Sequence, residues 1–162
     1  MNATTDPIQM LLDDHQRVRD LFQQLQSGGQ GGQAEQVARQ ILMELQVHSK
    51  LEEEIFYPAF RQQGNAEDKE LIAEAYDEHA EVDQMVTQLM GMGPSEAQFM
   101  PMMRKLQQDV EHHVQEEETE MLPKAREELR GQLDRLGQEM MQRKQQLMTQ
   151  LQGSMSGSTR QT

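Results

Sequence analysis

The apolar stripe that starts at Ile41 and Leu45 and ends at Ile55 carries two ionisable side chains at its centre, His48 and Glu52. Its steps are four, three, four and three residues, the period that keeps one face of an α-helix turned towards a core. The stripe Leu106, Val110, His113, Glu117, Met121 is interrupted in the same way. Two more stripes each hold one histidine: His15 stands between Leu11 or Leu12 and Val18, and His79 between Ala75 and Val82. Six ionisable side chains are thus expected to point into one core. A carboxylate buried without a partner is strongly unfavourable. A fold that accepts two of them beside four imidazoles must supply positive charge between them.

The pattern is duplicated. His79 follows His15 by 64 residues, and His113 follows His48 by 65. The flanks repeat as well: "DHQRVRDLFQQL" from Asp14 matches "EHAEVDQMVTQL" from Glu78, and "FYP" and "MLP" follow Glu52 and Glu117. The chain reads as two copies of a helical hairpin, the first helix with one His and the second with His-x3-Glu. On a helix, residues four apart share a face one turn apart, so one helix can offer both a nitrogen and an oxygen donor.

The periodicity predicts an all-α chain. Asp6 or Thr5 caps a first helix with Pro7 at its first position, and "SGGQGGQ" (27–33) ends it. "RQQGNAEDKE" closes the second helix, "GMGP" the third, and Pro123 is expected to stop the fourth, for which Pro94 and Pro101 are alternative starts. Four helices of this kind with short polar links predict an up-down-up-down four-helix bundle over residues 1–126. A fifth stripe, from Leu129 through Leu136, Met140 and Leu147 to Leu151, predicts a C-terminal amphipathic helix over 127–152. It is expected to pack on the bundle rather than pair with another chain. A polar tail at 153–162 is expected to be disordered.

Composition narrows the chemistry. The chain has 162 residues and no cysteine, which excludes disulfides, thiolate metal sites and thiol catalysis. Its net charge of −13 repels phosphate backbones, so nucleic acid is not an expected partner. No apolar run approaches the roughly 18 residues of a membrane span, and the N-terminus lacks the basic and apolar regions of a signal peptide; a cytoplasmic protein is expected.

Nitrogen and oxygen donors without sulfur suit iron, manganese or zinc, and a pair of ions would satisfy all six groups. If each Glu bridges two ions, the six residues supply roughly eight of about twelve bonds needed by two octahedral ions. An oxo or hydroxo bridge supplies two more, and about two positions stay open. Around this set, Glu44 and Asp109 lie four residues before His48 and His113 and are expected to accept the second ring N–H of a ligand histidine, or that of a neighbouring one. Asp83, Glu53 and Tyr57 are candidates for a further ligand, and Glu53, Glu54, Glu116 and Glu118 otherwise read as solvated acids. His112 has no counterpart in the first hairpin and reads as exposed.

The arrangement His15, His48-x3-Glu52, His79, His113-x3-Glu117 resembles that of the hemerythrin-like (HHE cation-binding) domain family over roughly residues 6 to 125. The resemblance implies a non-heme di-iron centre inside a four-helix bundle. His15, His48, His79 and His113 would be terminal ligands, and Glu52 and Glu117 would bridge. Oxygen-carrying hemerythrins have His-x3-His on the third helix; here Ala75 and Asp83 flank His79, so that histidine is absent. The functions implied are binding or sensing of O2, NO or peroxide, or iron handling, in a monomer or weak homodimer. The alternatives are a catalase- or peroxidase-like or nitrosative-damage-repair enzyme, and a metal that merely staples a partner-binding bundle.

Overall fold

The structure, a computed structural model, describes residues 6–28 and 32–157, which form helices joined by short links; no strand occurs among them. Helix α1 (Pro7–Gly28) starts where the sequence places its cap, with the Ile8 N–H donating to the Asp6 carboxylate at 3.0 Å. It ends on Gly28, whose φ of 152° suits a residue without a Cβ. Helix α2 (Gly32–Leu51) runs through a π-helical turn (Glu52–Phe56) into α3 (Tyr57–Gln63). Helix α4 (Ala66–Met90) opens on a capping box, the Asn65 side chain accepting from the Asp68 N–H and the Asp68 side chain accepting from the Asn65 N–H. Before it, Gly64 permits the tight link: a Cβ there would lie 2.8 Å from the Asp68 Cβ and 2.9 Å from the Phe60 carbonyl oxygen.

Helix α5 (Phe99–Glu116) begins ahead of Pro101, which falls in the first turn where a missing N–H costs no hydrogen bond. It continues through a second π-helical turn (Glu117–Met121) into α6 (Leu122–Glu128). Pro123 therefore does not stop the helix, contrary to the sequence expectation. In both π-helical turns a backbone N–H reaches five residues back, from Tyr57 to the Glu52 carbonyl and from Leu122 to the Glu117 carbonyl. The wider turn sits just ahead of Pro58 and Pro123 and sets each at the start of a fresh α-helical segment, a position proline tolerates.

The π-helical turn also rotates the residues beyond it. A continuous α-helix would put Ile55 in the core, but Ile55 is only half-buried, whereas Phe56, Tyr57 and Phe60 are fully buried. One residue inserted into the turn advances the inward face by one position.

Two apolar clusters fill the interior. One gathers Ile8 and Leu11, Leu51 to Phe60, Ile72 and Ala75, and Met121 to Ala125. The other gathers Val18 to Leu25, Ala38 to Leu45, Val82 to Leu89, and Phe99 to Val114. Helices α1 and α4 enter the first cluster with their early residues, while the rods α2–α3 and α5–α6 enter it with their late ones. The six ionisable positions fall at the level where one cluster gives way to the other.

The expected C-terminal helix is divided. Residues 127 and 128 end α6, a turn follows around Gly131, and α7 covers Leu133–Gly157, five residues past the expected end at 152. Of the tail expected to be disordered, 158–162 lie outside the described residues. Helix α7 packs against α1 and α2, and buries Leu136, Met140 and Leu147 in the first apolar cluster. Arg143 pairs with Glu54 at 2.8 Å and Lys144 with Asp14 at 2.6 Å. Met140 is fully buried, so Met140→Ala should destabilise the chain by about 2–5 kcal/mol, read as a lower midpoint in urea unfolding. A change within error would mean that α7 contributes nothing to the core.

Candidate metal centre

The six side chains converge. His48 and Glu52 lie one turn apart on one rod, His113 and Glu117 on another, and His15 and His79 come from α1 and α4. All four imidazoles turn Nε2 inward. His15 Nε2 lies 3.2 Å from His48 Nε2 and 3.2 Å from Glu117 Oε1, and His48 Nε2 lies 3.2 Å from Glu52 Oε1. His79 Nε2 lies 3.1 Å from His113 Nε2 and 3.1 Å from Glu52 Oε1, and His113 Nε2 lies 3.2 Å from Glu117 Oε2. Two groups of four buried residues result: His15, His48, Glu52 and Glu117, and Glu52, His79, His113 and Glu117. Within each group the donor atoms lie within 4.8 Å of one another, so each could hold an ion, and the two carboxylates belong to both groups.

Each imidazole turns its other nitrogen outward to an acid. His48 Nδ1 meets Asp14 at 3.2 Å, His79 Nδ1 meets Glu53 at 3.2 Å, and His113 Nδ1 meets Glu78 at 3.1 Å. His15 Nδ1 faces Glu118 at 3.5 Å without forming a hydrogen bond. Every acid is the chain neighbour of a different ligand: Asp14 precedes His15, Glu78 precedes His79, Glu53 follows Glu52 and Glu118 follows Glu117. An acceptor at the second nitrogen fixes the ring and its tautomer and makes the inward nitrogen a better donor.

This ring of acids differs from the expected one. Glu44 pairs with Arg17 at 3.5 Å and Asp109 with Lys105 at 2.7 Å. A residue four positions before a ligand lies along its own helix, whereas the outward imidazole nitrogen points across to the neighbouring one. Asp83 is exposed and belongs to neither group. Glu53 is half-buried on His79, and Glu118 lies against His15 and Arg19 rather than in open solvent. His112 is exposed and pairs with Glu116 at 3.1 Å. Sequence reasoning assigned no role to Asp14 or Glu78, although the repeated acid–His pairs at 14–15 and 78–79 carry the signal.

Tyr57 is fully buried, and its hydroxyl donates to Glu117 Oε2 at 2.6 Å. That hydroxyl stands 3.3 Å from His79 Nε2 and 3.4 Å from His113 Nε2. In the repeat its counterpart, 65 residues on, is Leu122. Burial, then the charges of Glu117 and Glu52, hold the phenol proton well above its ordinary range, so Tyr57 stays a donor.

The residues fit a cation. Both Glu52 oxygens and Glu117 Oε1 are buried without a hydrogen-bond donor, which buried carboxylates rarely accept. Without a bound metal ion the imidazoles would take up protons instead. Burial opposes charge on His48, but the Glu52 charge and the Asp14 hydrogen bond hold it well above the usual imidazole value. Burial likewise opposes charge on His79 and His113, yet the adjoining Glu52 and Glu53 carboxylates raise His79 to about 9, and those of Glu117, Glu52 and Glu78 raise His113 to about 12. Glu52 is held well below the carboxylate range despite its burial, by His48 first. On the side away from Tyr57, the four imidazoles border a cavity of about 30 Å³ whose other walls are mainly Val18, Leu45, Val82, Val110 and Val114.

The profile described as the Hemerythrin HHE cation binding domain matches residues 6–125, the stretch that carries all six side chains. The chain belongs to the hemerythrin HHE cation-binding domain family. An HHE cation binding domain-containing protein from Mycobacterium kansasii shares the fold, with a TM-score of 0.74 at 24% identity over 88% of this chain and 86% of that one. A protein of Nostoc sp. named DNA nickase is 29% identical over 90% of the chain. An uncharacterized hemerythrin-like protein of Schizosaccharomyces pombe is 27% identical over 70% of it. The chain spans 41% of the length of the Nostoc protein and 56% of that of the yeast one.

Protons and metal compete for the same nitrogens, which gives two opposite pH slopes. In the metal-free protein the raised imidazoles add stability that is fully present below their unfolded value of about 6.5. It is lost as pH climbs through about 9 for His79 and on towards about 12 for His113. Urea midpoints of the metal-stripped protein should therefore fall from pH 6.5 towards 9, while bound metal should be retained over that range and shed on acidification. A metal-free midpoint that rises with pH would contradict the cluster's charge balance.

Proposed function

We propose that the chain is a non-heme di-iron protein that binds or senses a small molecule such as O2, NO or peroxide. In this reading His15 and His48 are terminal ligands of one iron and His79 and His113 of the other. Glu52 and Glu117, the carboxylates common to both groups, would be shared by the two ions, with an oxo or hydroxo group completing the centre. The up-down-up-down bundle of α1, α2–α3, α4 and α5–α6, with α7 laid on one side, is the scaffold that sets these distances. When bound, iron supplies open coordination positions of adjustable redox state.

The cavity beside the four imidazoles carries the proposal. Its volume of about 30 Å³ has room for a water molecule or a diatomic and for little more, and its valine and leucine walls suit an uncharged guest. Across the centre, Tyr57 holds Glu117 through a hydrogen bond that fixes the carboxylate's orientation. Four histidines rather than five keep coordination positions free on each side.

A cytoplasmic monomer or weak homodimer is part of the same reading. Helix α7 spends its apolar stripe on its own chain, and no helix among the described residues is long and apolar enough to cross a membrane. The name of the Nostoc relative does not extend to this chain in this reading, because a net charge of −13 opposes approach to a phosphate backbone.

His113→Ala should lower iron from two per chain to about one and remove its spectrum, with helicity unchanged by circular dichroism. Two irons per chain in that variant would end the ligand assignment. Adding azide, NO or peroxide to the di-ferric and di-ferrous protein should give stable spectral adducts. Rapid peroxide turnover would instead favour an enzyme, and an unresponsive spectrum a metal that only staples the bundle.

A further inference from the structure

Hydrogen bonds and ion pairs around the centre are not shared evenly between its two halves. Asp14, the acceptor of His48 Nδ1, also takes a bond from Lys144 Nζ of α7 at 2.6 Å. Glu118, which faces His15 Nδ1, takes bonds from Arg19 at 3.1 and 3.4 Å. Both acids behind the His15–His48 half therefore pair with a cation, Asp14 with Lys144 and Glu118 with Arg19, whose guanidinium also binds Glu111 at 2.9 and 3.0 Å. Behind the other half, Glu53 and Glu78 have no lysine or arginine nitrogen within 4.0 Å among the described residues; Glu78 has only His112, at 3.9 Å. The repeat even reverses the charge, for the residue 64 positions after Arg19 is Asp83.

We propose that the two ion positions are electronically inequivalent and that α7 sets the difference through Lys144, making His15–His48 the weaker, exchangeable position and His79–His113 the tight one. The inference rests on the binuclear reading of the centre. An acid at the outer nitrogen strengthens an imidazole donor because its charge favours a more electron-rich ring. A cation on the same acid withdraws that charge, so the inner nitrogen gives less to the metal. Lys144 is thus a positioning residue that acts through Asp14 and His48, and Arg19 acts likewise through Glu118. His15 is further disadvantaged because its outer nitrogen lacks a hydrogen bond. The structure gives α7 a role at the centre beyond covering the core: it lends the charge that loosens one ion.

Calorimetric titration of the full-length, metal-stripped protein with Zn²⁺ tests this without iron chemistry, and Co²⁺ titration adds an optical reading of each step. Two ions this close repel, so two steps are expected even from identical positions; the decisive result is which step each variant moves. Lys144→Met, which keeps the aliphatic stem, should tighten the second step about tenfold and leave the first unchanged. Asp14→Asn should weaken the second step, and Glu78→Gln the first, each by about 10–100-fold. Lys105→Met, remote from the centre, should move neither. Should Lys144→Met unfold the metal-free chain, Arg19→Met tests the same half without touching α7 and should also tighten the second step. If the cation variant that folds moves the first step, or neither, the proposal is overturned. A wild-type stoichiometry below two ions would instead overturn the binuclear reading on which it rests.

Discussion

Two carboxylates in the middle of a protein set the terms for everything around them. Glu52 is fully buried and Glu117 is 2% exposed, and three of their four oxygens have no hydrogen-bond donor. Charge in such a place is tolerable only if opposite charge is held against it. Four inward imidazole nitrogens stand ready to ligate a cation there or to carry protons. Acids stand behind the imidazoles, and behind two of those acids stand Lys144 and Arg19. The sign alternates outward from the centre, so that each layer is stabilised by the next. Removing one member of an inner layer leaves the charge of its neighbours less well balanced.

The backbone answers the same demand. Each bridging candidate opens a π-helical turn, Glu52 in one rod and Glu117 in the other. The extra residue lets the apolar face resume at Phe56 and Tyr57 instead of Ile55. It is this shift that swings the Tyr57 hydroxyl to within 2.6 Å of Glu117. An uninterrupted α-helix could present His48 and Glu52, but would carry Tyr57 away from the carboxylates. Local irregularity and site geometry are thus one feature, and the prolines that come next are accommodated by it.

The helices, their faces and the six inward side chains were legible from sequence because all follow from helical period and repetition. Spacings of three and four residues place His48 and Glu52 on the face of Ile41 and Leu45 whatever the tertiary structure. The features beyond reach depended on facts that period does not encode. An α-helical ruler cannot register the inserted residue of a π-helical turn, so it misplaced Ile55 and ended a helix at Pro123. It also looked for the partners of the outer nitrogens four residues before His48 and His113, at Glu44 and Asp109, serving either those rings or neighbouring ones. Those nitrogens point across helix boundaries, to Asp14, Glu53, Glu78 and Glu118. Which helix neighbours which is a property of the packed bundle. The acids were nonetheless written beside the ligands, as repeated pairs, and a reading that paired acids between the hairpins could have found them.

Duplication explains why the centre has two matched halves, and divergence explains why they are not the same. Ligands recur at offsets of 64 and 65 residues, and so do the acids behind them. These are the groups that balance one another's charge in the core. The features that tune the centre do not recur. Tyr57 faces Leu122 in the repeat, Arg19 faces Asp83, and Lys144 comes from a helix outside both hairpins. A hydroxyl stands beside one pair of imidazoles and cations stand behind the other, while the six inward side chains keep their repeat. A change at the inner carboxylates or imidazoles would disturb the charge balance of the core, so outer positions such as these are where the two halves have diverged.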